Sequence, residues 1–294
     1  MPAAPRYPGR SQPLLAPWNE ALLVMQSDLR CSQSREVRQE SFSATAPPTK
    51  VWIAIEQPGP WQSHALQPGN SRLSEKISNI VGAWPEVTVV LIRSRHRHGA
   101  KTRRLFVANV LPEQRWLMSA ELTSVEQVLN LEPANIVKGI KPVWLVERIN
   151  PVTLICTNGK RDICCALEGR RLLNLLESQG EVAWESTHLG GHRFAPSRLT
   201  LPDGRMYGGT DGASYRGASG LSRIQQAAEC KAVELYGYKD FICAEPEPIA
   251  PDQWSVRLSR EGLSTGFTVQ HRTRGLAVES CGKSPVLGDE YLAF

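Results

Sequence analysis

Apolar runs and regularly spaced apolar positions alternate along the first half of the chain. The run from Lys50 to Glu56 is β-branched and aromatic, and Gln57-Pro58-Gly59-Pro60 ends it, which predicts a buried strand followed by a loop. An amphipathic helix is predicted next from Leu73, Ile77, Ile80 and Val81, which recur at helical spacing, with Asn70 or Ser71 as cap and Gly82 at the end. Two more strands are predicted over residues 87–92 and 104–110.

The connection between those two strands is strongly basic. It carries Arg93, Arg95, His96, Arg97, His98, Lys101 and Arg103. A docking patch for an acidic partner is one interpretation of these charges. The pattern favours a solvated turn, because runs of like charge usually form solvated surface.

The second half repeats this order of elements. Strands are predicted over 142–147, 152–156 and 181–185, and a hairpin turns at Pro202-Asp203-Gly204 between 194–201 and 205–207. A helix is predicted from Asp162, a candidate N-cap, to Gln179, and a second one ends at Gly237. Further strands fill the last 45 or so residues. The repeat predicts two related α/β domains with a boundary between about residues 136 and 150.

Composition narrows the class of protein. The 294 residues are enough for about two domains, and the 41% of hydrophobic residues can bury a core. No apolar run approaches the roughly 18 residues of a membrane span, and a net charge of +5 does not indicate nucleic-acid binding. The start of the chain lacks the apolar core of a secretory signal, so we expect a cytoplasmic protein without a membrane or nucleic-acid partner.

Seven cysteines suggest metal or redox chemistry rather than disulfides, because the count is odd and the chain is long. Cys156 ends a predicted strand, and Cys164 and Cys165 begin a predicted helix. His188 and His192 flank Gly190 and Gly191, which disfavour a helix and allow tight folding against a bulky neighbour.

Adjacent helical residues diverge by roughly 100° about the helix axis, so only one of Cys164 and Cys165 can face a metal or redox site shared with Cys156 and the two histidines. The leucine stripe of the helix includes Cys165 and therefore favours Cys164 as the ligand. The residues alone leave this choice open. Two thiolates and two imidazoles suit a zinc ion or a [2Fe-2S] cluster, and the wide spacing from Cys156 to Cys165 favours the larger cluster.

The strings Cys156-Thr-Asn-Gly-Lys-Arg-Asp-Ile-Cys-Cys165 and His188-Leu-Gly-Gly-His-Arg-Phe-Ala195 resemble the sucrase/ferredoxin-like family of thioredoxin-like ferredoxins. The resemblance implies an α/β fold with two thioredoxin-like ferredoxin domains in tandem, of which only the C-terminal one carries a [2Fe-2S] cluster. The implied ligands to its iron are Cys156, Cys165, His188 and His192, with Cys164 as a buried neighbour. Cys31 is expected to stand alone in a cluster-less N-terminal domain.

These expectations divide the chain into a flexible proline-rich arm over 1–17, a cluster-less domain over 18–140, and a cluster-binding domain with a C-terminal extension over 141–294. Sucrase activity is not expected, because no pair of carboxylates can be assigned the acid and base roles of glycoside hydrolysis. Cys230, Cys243 and Cys281 are interpreted as packed thiols.

One-electron transfer, as a ferredoxin-like carrier or a reductase component, is the expected function. Two imidazole ligands predict a Rieske-like potential and coupling of the electron to a proton. The partner is an unidentified redox protein or small reductant, since no phosphate-binding loop is present. Lys160, Arg161 and Arg193 could guide that partner, hydrogen-bond the cluster or solvate a loop. The alternatives are a zinc-stabilised interaction module and a thiol enzyme that pairs Cys164 or Cys165 with His188.

Overall fold

Strands from both halves of the chain form one continuous ten-stranded sheet, and later strands form a second, five-stranded sheet. The computed structural model describes residues 29–67, 72–97, 99–237 and 239–294. The first half contributes α1 (Cys31–Val37), β1 (Val51–Glu56), α2 (Arg72–Ala83), β2 (Val87–Arg93), β3 (Arg103–Asn109), β4 (Trp116–Leu122), α3 (Pro133–Val137) and β5 (Val146–Glu147).

The second half contributes the remaining elements. They are β6 (Val152–Cys156), α4 (Ile163–Ser178), β7 (Ala183–Ser186), β8 (Arg198–Leu201), β9 (Arg205–Gly208), β10 (Ser214–Ala218), α5 (Arg223–Tyr236), β11 (Ile242–Cys243), β12 (Glu247–Ala250), β13 (Gln253–Arg260), β14 (Leu263–Ala277) and β15 (Val286–Ala293). Short 3₁₀ helices lie at Arg95–Arg97, Val125–Asn130 and His192–Phe194.

The same strand order occurs twice in the large sheet. In the first half β1 is parallel to β2 and antiparallel to β3, which pairs with β4. In the second half β6 is parallel to β7 and antiparallel to β8, which pairs with β9. One helix connects each parallel pair, α2 in the first half and α4 in the second. The repeated order of elements is therefore present in the topology.

The two halves meet where β2 pairs antiparallel with β7. The ladder joins Ile92 to Ser186 and Arg93 to Glu185. The N–H of Thr187 also donates to the carbonyl of Leu91, and the N–H of Leu91 donates to the Thr187 hydroxyl. Because the sheet is continuous, apolar residues of both halves share one core cluster, which includes Trp52, Phe106, Leu154 and Leu199.

The C-terminal sheet packs against α5. Ala228, Phe241, Val256 and Leu258 are fully or almost fully buried in their own apolar cluster, together with Val269. The helix begins with a capping box at Ser222 and ends at Gly237, whose positive φ of 69° is the left-handed cap that glycine favours. The C-terminal extension is thus a folded layer with a core of its own.

Most of the predicted elements are confirmed. The α/β class is correct, Asp162 caps α4 through the N–H of Cys164, and the 202–204 turn joins β8 to β9. The strand predicted over 142–147 is mostly wrong, because only Val146–Glu147 pair, and β4 was not predicted. The proline-rich arm and the caps Asn70 and Ser71 lie outside the described residues. The division into two thioredoxin-like domains stays a prediction.

The basic connection after β2 exposes Arg95, His96 and Lys101, as a solvated turn predicts, but three of its arginines also pair with carboxylates. Arg93 pairs with Glu185, Arg95 with Glu177, and Arg97 with Glu56 and Glu121. Acidic residues of both halves thus neutralise these arginines. Among the described helices, none combines the length and the apolar character needed to cross a membrane.

Candidate metal centre

A short loop brings two cysteines together at the end of β6. The strand ends at Cys156, and residues 157–162 return the chain to the first turn of α4, where Cys165 lies. The helix packs so tightly there that a Cβ at Gly169 would collide with the backbone carbonyl of Cys156. Both thiols are consequently buried, with exposures of 0% for Cys156 and 1% for Cys165.

A glycine-rich loop after β7 presents the two histidines. Gly190 and Gly191 have φ angles of 92° and 70°, which L side chains rarely adopt. A Cβ at Gly191 would also lie 2.5 Å from Nη2 of Arg216. The bulky neighbours that the two glycines predict are therefore Pro47 at Gly190 and the buried Arg216 at Gly191, and the tight turn places His188 and His192 side by side.

Arg216 fixes the glycine-rich loop after β7 through hydrogen bonds. Its side chain is fully buried, and it donates to the carbonyl of Gly190 at 3.1 Å, to the hydroxyl of Ser197 at 3.1 Å and to the carbonyl and hydroxyl of Thr45. Burial, together with the charge of Arg193, lowers the pKa of Arg216 to about 9, against the opposing effect of Cys165. The guanidinium of Arg216 is thus a buried positive charge that interacts electrostatically with Cys165.

The ligand atoms of Cys156, Cys165 and His188 all lie within 4.8 Å of one another. His192 joins this set through its Nδ1, which is 3.5 Å from Sγ of Cys165, and its ring stacks on that of His188 at 3.9 Å between centroids. Nδ1 of His188 is buried and has no hydrogen-bond partner among the described residues. These two thiols and two imidazoles, one of which has an unpaired buried nitrogen, form a group that could hold a metal ion.

Hydrogen bonding and burial already adjust these groups for metal binding. Hydrogen bonds from Cys165 and from His188 hold the pKa of the Cys156 thiol well below its usual value, although burial opposes the shift. The same bond to Cys156 raises the pKa of Cys165, and burial adds to this. Burial and the neighbouring His188 lower the pKa of His192 to about 4. The lowered pKa of Cys156 favours its thiolate form and the lowered pKa of His192 favours its neutral form, and these are the forms that bind a metal.

The histidine side of the site faces a cleft of about 530 Å³. Residues of both halves line this cleft, among them Ser63, His64, Asn158, Arg161, Thr187 and His188. His188 is half-buried, whereas His192 and both cysteines are buried. A molecule in the cleft would therefore approach the site through His188.

Each of the three predicted basic docking residues has a partner within the chain. Lys160 donates to the side chain of Gln62 at 3.1 Å, and Arg161 lies 2.7 Å from Nε2 of His64. Arg193 pairs with Glu40 at 2.7 Å and with Glu279 at 3.0 Å. The loop after β1 therefore contacts Lys160, which stays exposed, and Arg161, and the role of all three in docking stays a prediction.

A second group of metal-ligand side chains lies beside the first and was not predicted. It consists of Cys31, Asp162, Cys164 and Cys281, whose ligand atoms also lie within 4.8 Å of one another. The expectation that Cys31 stands alone is wrong, and Cys281 is more than a packed thiol. No short spacing reveals this group, because Cys31 and Cys281 are 250 positions apart. Arg216 was missed for a similar reason, since nothing in its flanking sequence indicates burial.

The two adjacent cysteines belong to different groups. Cys165 lies with Cys156 and His188, whereas Cys164 lies with Cys31 and Cys281. Cys165 does lie in the core cluster, as the helical stripe predicts, but both sides of the first turn of α4 are covered, one by the sheet and the other by α1 and the C-terminal extension. The ligand choice therefore stays a prediction. Hydrogen bonds from Cys31 and Ser32 lower the pKa of Cys164 to about 6, against the effect of burial.

Comparison with known families agrees with this geometry. Searches of the curated proteins and of the solved structures found no match. The family model described as sucrase/ferredoxin-like matches residues 42–230, which is more than half of the chain and includes the four residues of the first group. The chain therefore belongs to the sucrase/ferredoxin-like family.

Proposed function

We propose that this protein transfers single electrons through a [2Fe-2S] cluster held by Cys156, Cys165, His188 and His192. The observation that carries the proposal is the convergence of two buried thiols and two stacked imidazoles at the bottom of a cleft. Two cysteines and two histidines are the ligand set of Rieske-type centres, in which the histidines bind one of the two irons. Membership of the family supports the same assignment.

A bound cluster of this kind would supply a one-electron site with a potential of roughly −150 to +300 mV. The chain's own residues prepare the site for it. Cys156 and Cys165 provide the anionic ligands, and Arg216 places a buried positive charge near them. That charge favours the more negative reduced state and raises the potential.

Access to the site favours transfer to an external partner. His188 is the most exposed of the four ligands, and it faces the cleft between the loop after β1 and the loop after β6. Glycoside hydrolysis has no support in this cleft, because its described lining residues include no carboxylate. A ferredoxin-like carrier or a reductase component is therefore the function that this geometry supports best.

Spectroscopy of anaerobically purified protein tests the proposal. We expect about two irons and two acid-labile sulfides per chain, visible absorption and a paramagnetic reduced state. Cys165→Ser should lose the iron, and Cys164→Ser, a matched variant at the adjacent position, should retain it. His188→Cys tests whether this histidine is a ligand. If it is, the variant should keep a cluster whose potential is lower, because a thiolate replaces a neutral imidazole. Iron lost from Cys164→Ser but kept in Cys165→Ser would contradict the ligand assignment.

A zinc-stabilised interaction module is the second candidate. The compactness of the donor set favours it, since ligand atoms within 4.8 Å of one another can also surround a single ion. Colourless protein that contains no iron after anaerobic preparation, and whose zinc content falls in Cys156→Ser, would establish this alternative and exclude the electron-transfer proposal.

The proposed electron transfer can be tested further for coupling to the loss of a proton from a ligating histidine. A ligating imidazole that loses a proton on oxidation should make the potential fall by about 59 mV per pH unit above the pKa of the oxidised state. Protein-film voltammetry across a pH series measures this slope. A potential that stays constant across the histidine titration would exclude the coupling while leaving electron transfer intact.

A further inference from the structure

The second group of ligand side chains has the geometry of a metal site. The sulfurs of Cys31, Cys164 and Cys281 form a triangle with edges of 3.5 Å, 3.4 Å and 3.6 Å. Tetrahedral zinc binds thiolate sulfur at about 2.3 Å, which places two ligating sulfurs about 3.8 Å apart. The three sulfurs would have to separate by only a few tenths of an ångström to bind one ion.

Asp162 organises the three thiols. One of its oxygens accepts from the N–H of Cys164 at 2.9 Å, and the other accepts from the N–H of Cys281 and the hydroxyl of Ser280, both at 2.8 Å. The first oxygen, Oδ1, also lies 3.7 Å from Sγ of Cys31. The carboxylate thus fixes two cysteine backbones and keeps one lone pair of Oδ1 directed toward the thiols.

Two of the three sulfurs accept hydrogen bonds from neighbouring groups. The N–H of Cys31 donates to Sγ of Cys281 at 3.3 Å, and the hydroxyl of Ser32 donates to Sγ of Cys164 at 3.3 Å. Donors aimed at sulfur stabilise the thiolate form. Ala195 and Val278 pack against the cluster, in which Cys31 and Cys164 are buried and Cys281 is partly buried.

We propose that Cys31, Cys164 and Cys281 bind a structural zinc ion, with Oδ1 of Asp162 as the fourth ligand. A d¹⁰ ion without geometric preference fits three thiolates and a carboxylate arranged in a compact tetrahedron. Binding forms three zinc–sulfur bonds and one zinc–oxygen bond, and it releases the thiol protons to solvent. No electron is transferred, because zinc has no accessible second oxidation state.

This site is distinct from the proposed cluster site, although the two lie on opposite sides of one helical turn. Cys164 and Cys165 are adjacent, and each belongs to a different group. Cys31 and Cys281 lie outside residues 42–230, the segment that matches the family. The second site is therefore an addition that this chain makes to the family segment, and nothing in the electron-transfer proposal requires it.

A zinc ion here would join three segments that are far apart in sequence. Cys31 belongs to α1, Cys164 to α4, and Cys281 to the loop between β14 and β15. The sequence separations are 133, 117 and 250 residues, so the ion would close long loops and lower the entropy of the unfolded chain. Its role would be to hold α1 and the C-terminal extension against the first turn of α4.

Metal analysis of protein expressed with added zinc and purified anaerobically tests the inference. We expect about one zinc per chain in addition to the iron. Cys31→Ser and Cys281→Ser should each reduce the zinc to near zero while the iron and the visible spectrum are retained. Cys243→Ser, a partly buried thiol outside both groups, is the matched control and should keep both metals.

A reciprocal variant keeps this inference separate from the proposed function. Cys156→Ser should lose the iron and retain the zinc, so either proposal can fail without the other. Cobalt added to zinc-free protein provides an optical readout, because tetrahedral thiolate coordination gives intense charge-transfer bands that Cys281→Ser should abolish.

Two results would overturn the zinc site. One is wild-type protein that neither contains zinc nor binds it. The other is a disulfide between two of the three cysteines, detected by alkylation and mass spectrometry of protein denatured without reductant. Circular dichroism of the serine variants checks that each has folded, and the wild-type measurement decides the question if they have not.

Discussion

The two halves of the large sheet share one topology but place different chemistry at equivalent positions. The first strand of each half ends at a buried side chain, Glu56 at the end of β1 and Cys156 at the end of β6. Glu56 accepts from Nε of Arg97 at 3.0 Å and from the N–H of Arg104 at 2.7 Å. Cys156 instead faces Cys165 and His188. The equivalent strand end therefore carries a carboxylate that forms an ion pair in one half, and a cysteine of the group that could hold a metal ion in the other.

Loop length explains much of this difference. Residues 57–71 separate β1 from α2, whereas residues 157–162 separate β6 from α4. The short loop brings the first turn of α4 against the strand end, where its cysteines can meet Cys156. The long loop instead crosses to the other half, and its Gln62 accepts from Asn158 at 3.0 Å and from Lys160. The N-terminal half thus contributes a cover for the site rather than a second site.

The largest expected effect comes from the buried charge of the C-terminal half. Arg216→Met removes a cation, leaves the carbonyl of Thr45 without its donor and leaves that of Gly190 with only the hydroxyl of Ser197, so the free energy of unfolding should fall by about 3 kcal/mol or more. The reduction potential should fall as well, because a positive charge near the ligands is lost. Urea denaturation and a redox titration measure the two effects.

Arg216→Lys distinguishes the effect of the positive charge from the effect of the hydrogen bonds that the guanidinium makes. Lysine keeps the positive charge but cannot reproduce the fork of hydrogen bonds, so it should restore more of the potential than of the stability. If Arg216→Met leaves the potential unchanged, the arginine supports the loop only and has no electrostatic role at the site.

A pair of glycine substitutions tests the close contact of α4 with the end of β6, with a glycine of α2 that has open space around it as the control. Gly169→Ala introduces a Cβ into the carbonyl of Cys156, so we expect a loss of about 1–3 kcal/mol and a lower iron content. Gly82→Ala meets no atom within 4 Å and should be neutral or stabilise the protein by up to about 1 kcal/mol. Equal effects of the two variants on unfolding and iron content would show that the short loop does not set the geometry of the site.

Glu56→Gln tests whether the N-terminal half is only structural. The substitution leaves Arg97, which is 22% exposed, with Glu121 as its remaining carboxylate partner, so we expect a loss of about 1–2 kcal/mol. Iron content and potential should not change, because neither Glu56 nor Arg97 contacts a ligand residue. A loss of iron without a loss of folded protein would mean that the strand end of the first half does contribute to the site.

Features of the fold and the site that depend on neighbouring residues could be predicted from the sequence, whereas those that depend on distant segments could not. The strand ending at Cys156, the cap at Asp162 and the turn between His188 and His192 are encoded by neighbouring residues, and the structure contains each of them. The choice of Cys165 needed the family spacing, because periodicity describes only one buried face of a helix. Arg216 and the cluster around Cys31 depend on contacts between distant segments, which no local pattern records.

The smallest effect is expected at the junction of the two halves, where Arg93 donates to Glu185 at 2.7 Å across the β2–β7 ladder. Burial opposes ionisation of Glu185, yet hydrogen bonds from Arg93 and Thr157 lower its pKa below the usual value. A carboxylate with a lowered pKa stabilises the fold above its unfolded pKa of about 4.3, and this stabilisation is lost as the pH falls through the folded value. Glu185→Gln should therefore cost about 1 kcal/mol near neutral pH and progressively less between about pH 5 and pH 3. Urea denaturation across that range, with the exposed Glu181→Gln as control, measures this convergence, and parallel curves for wild type and Glu185→Gln would show that the ion pair does not link the halves.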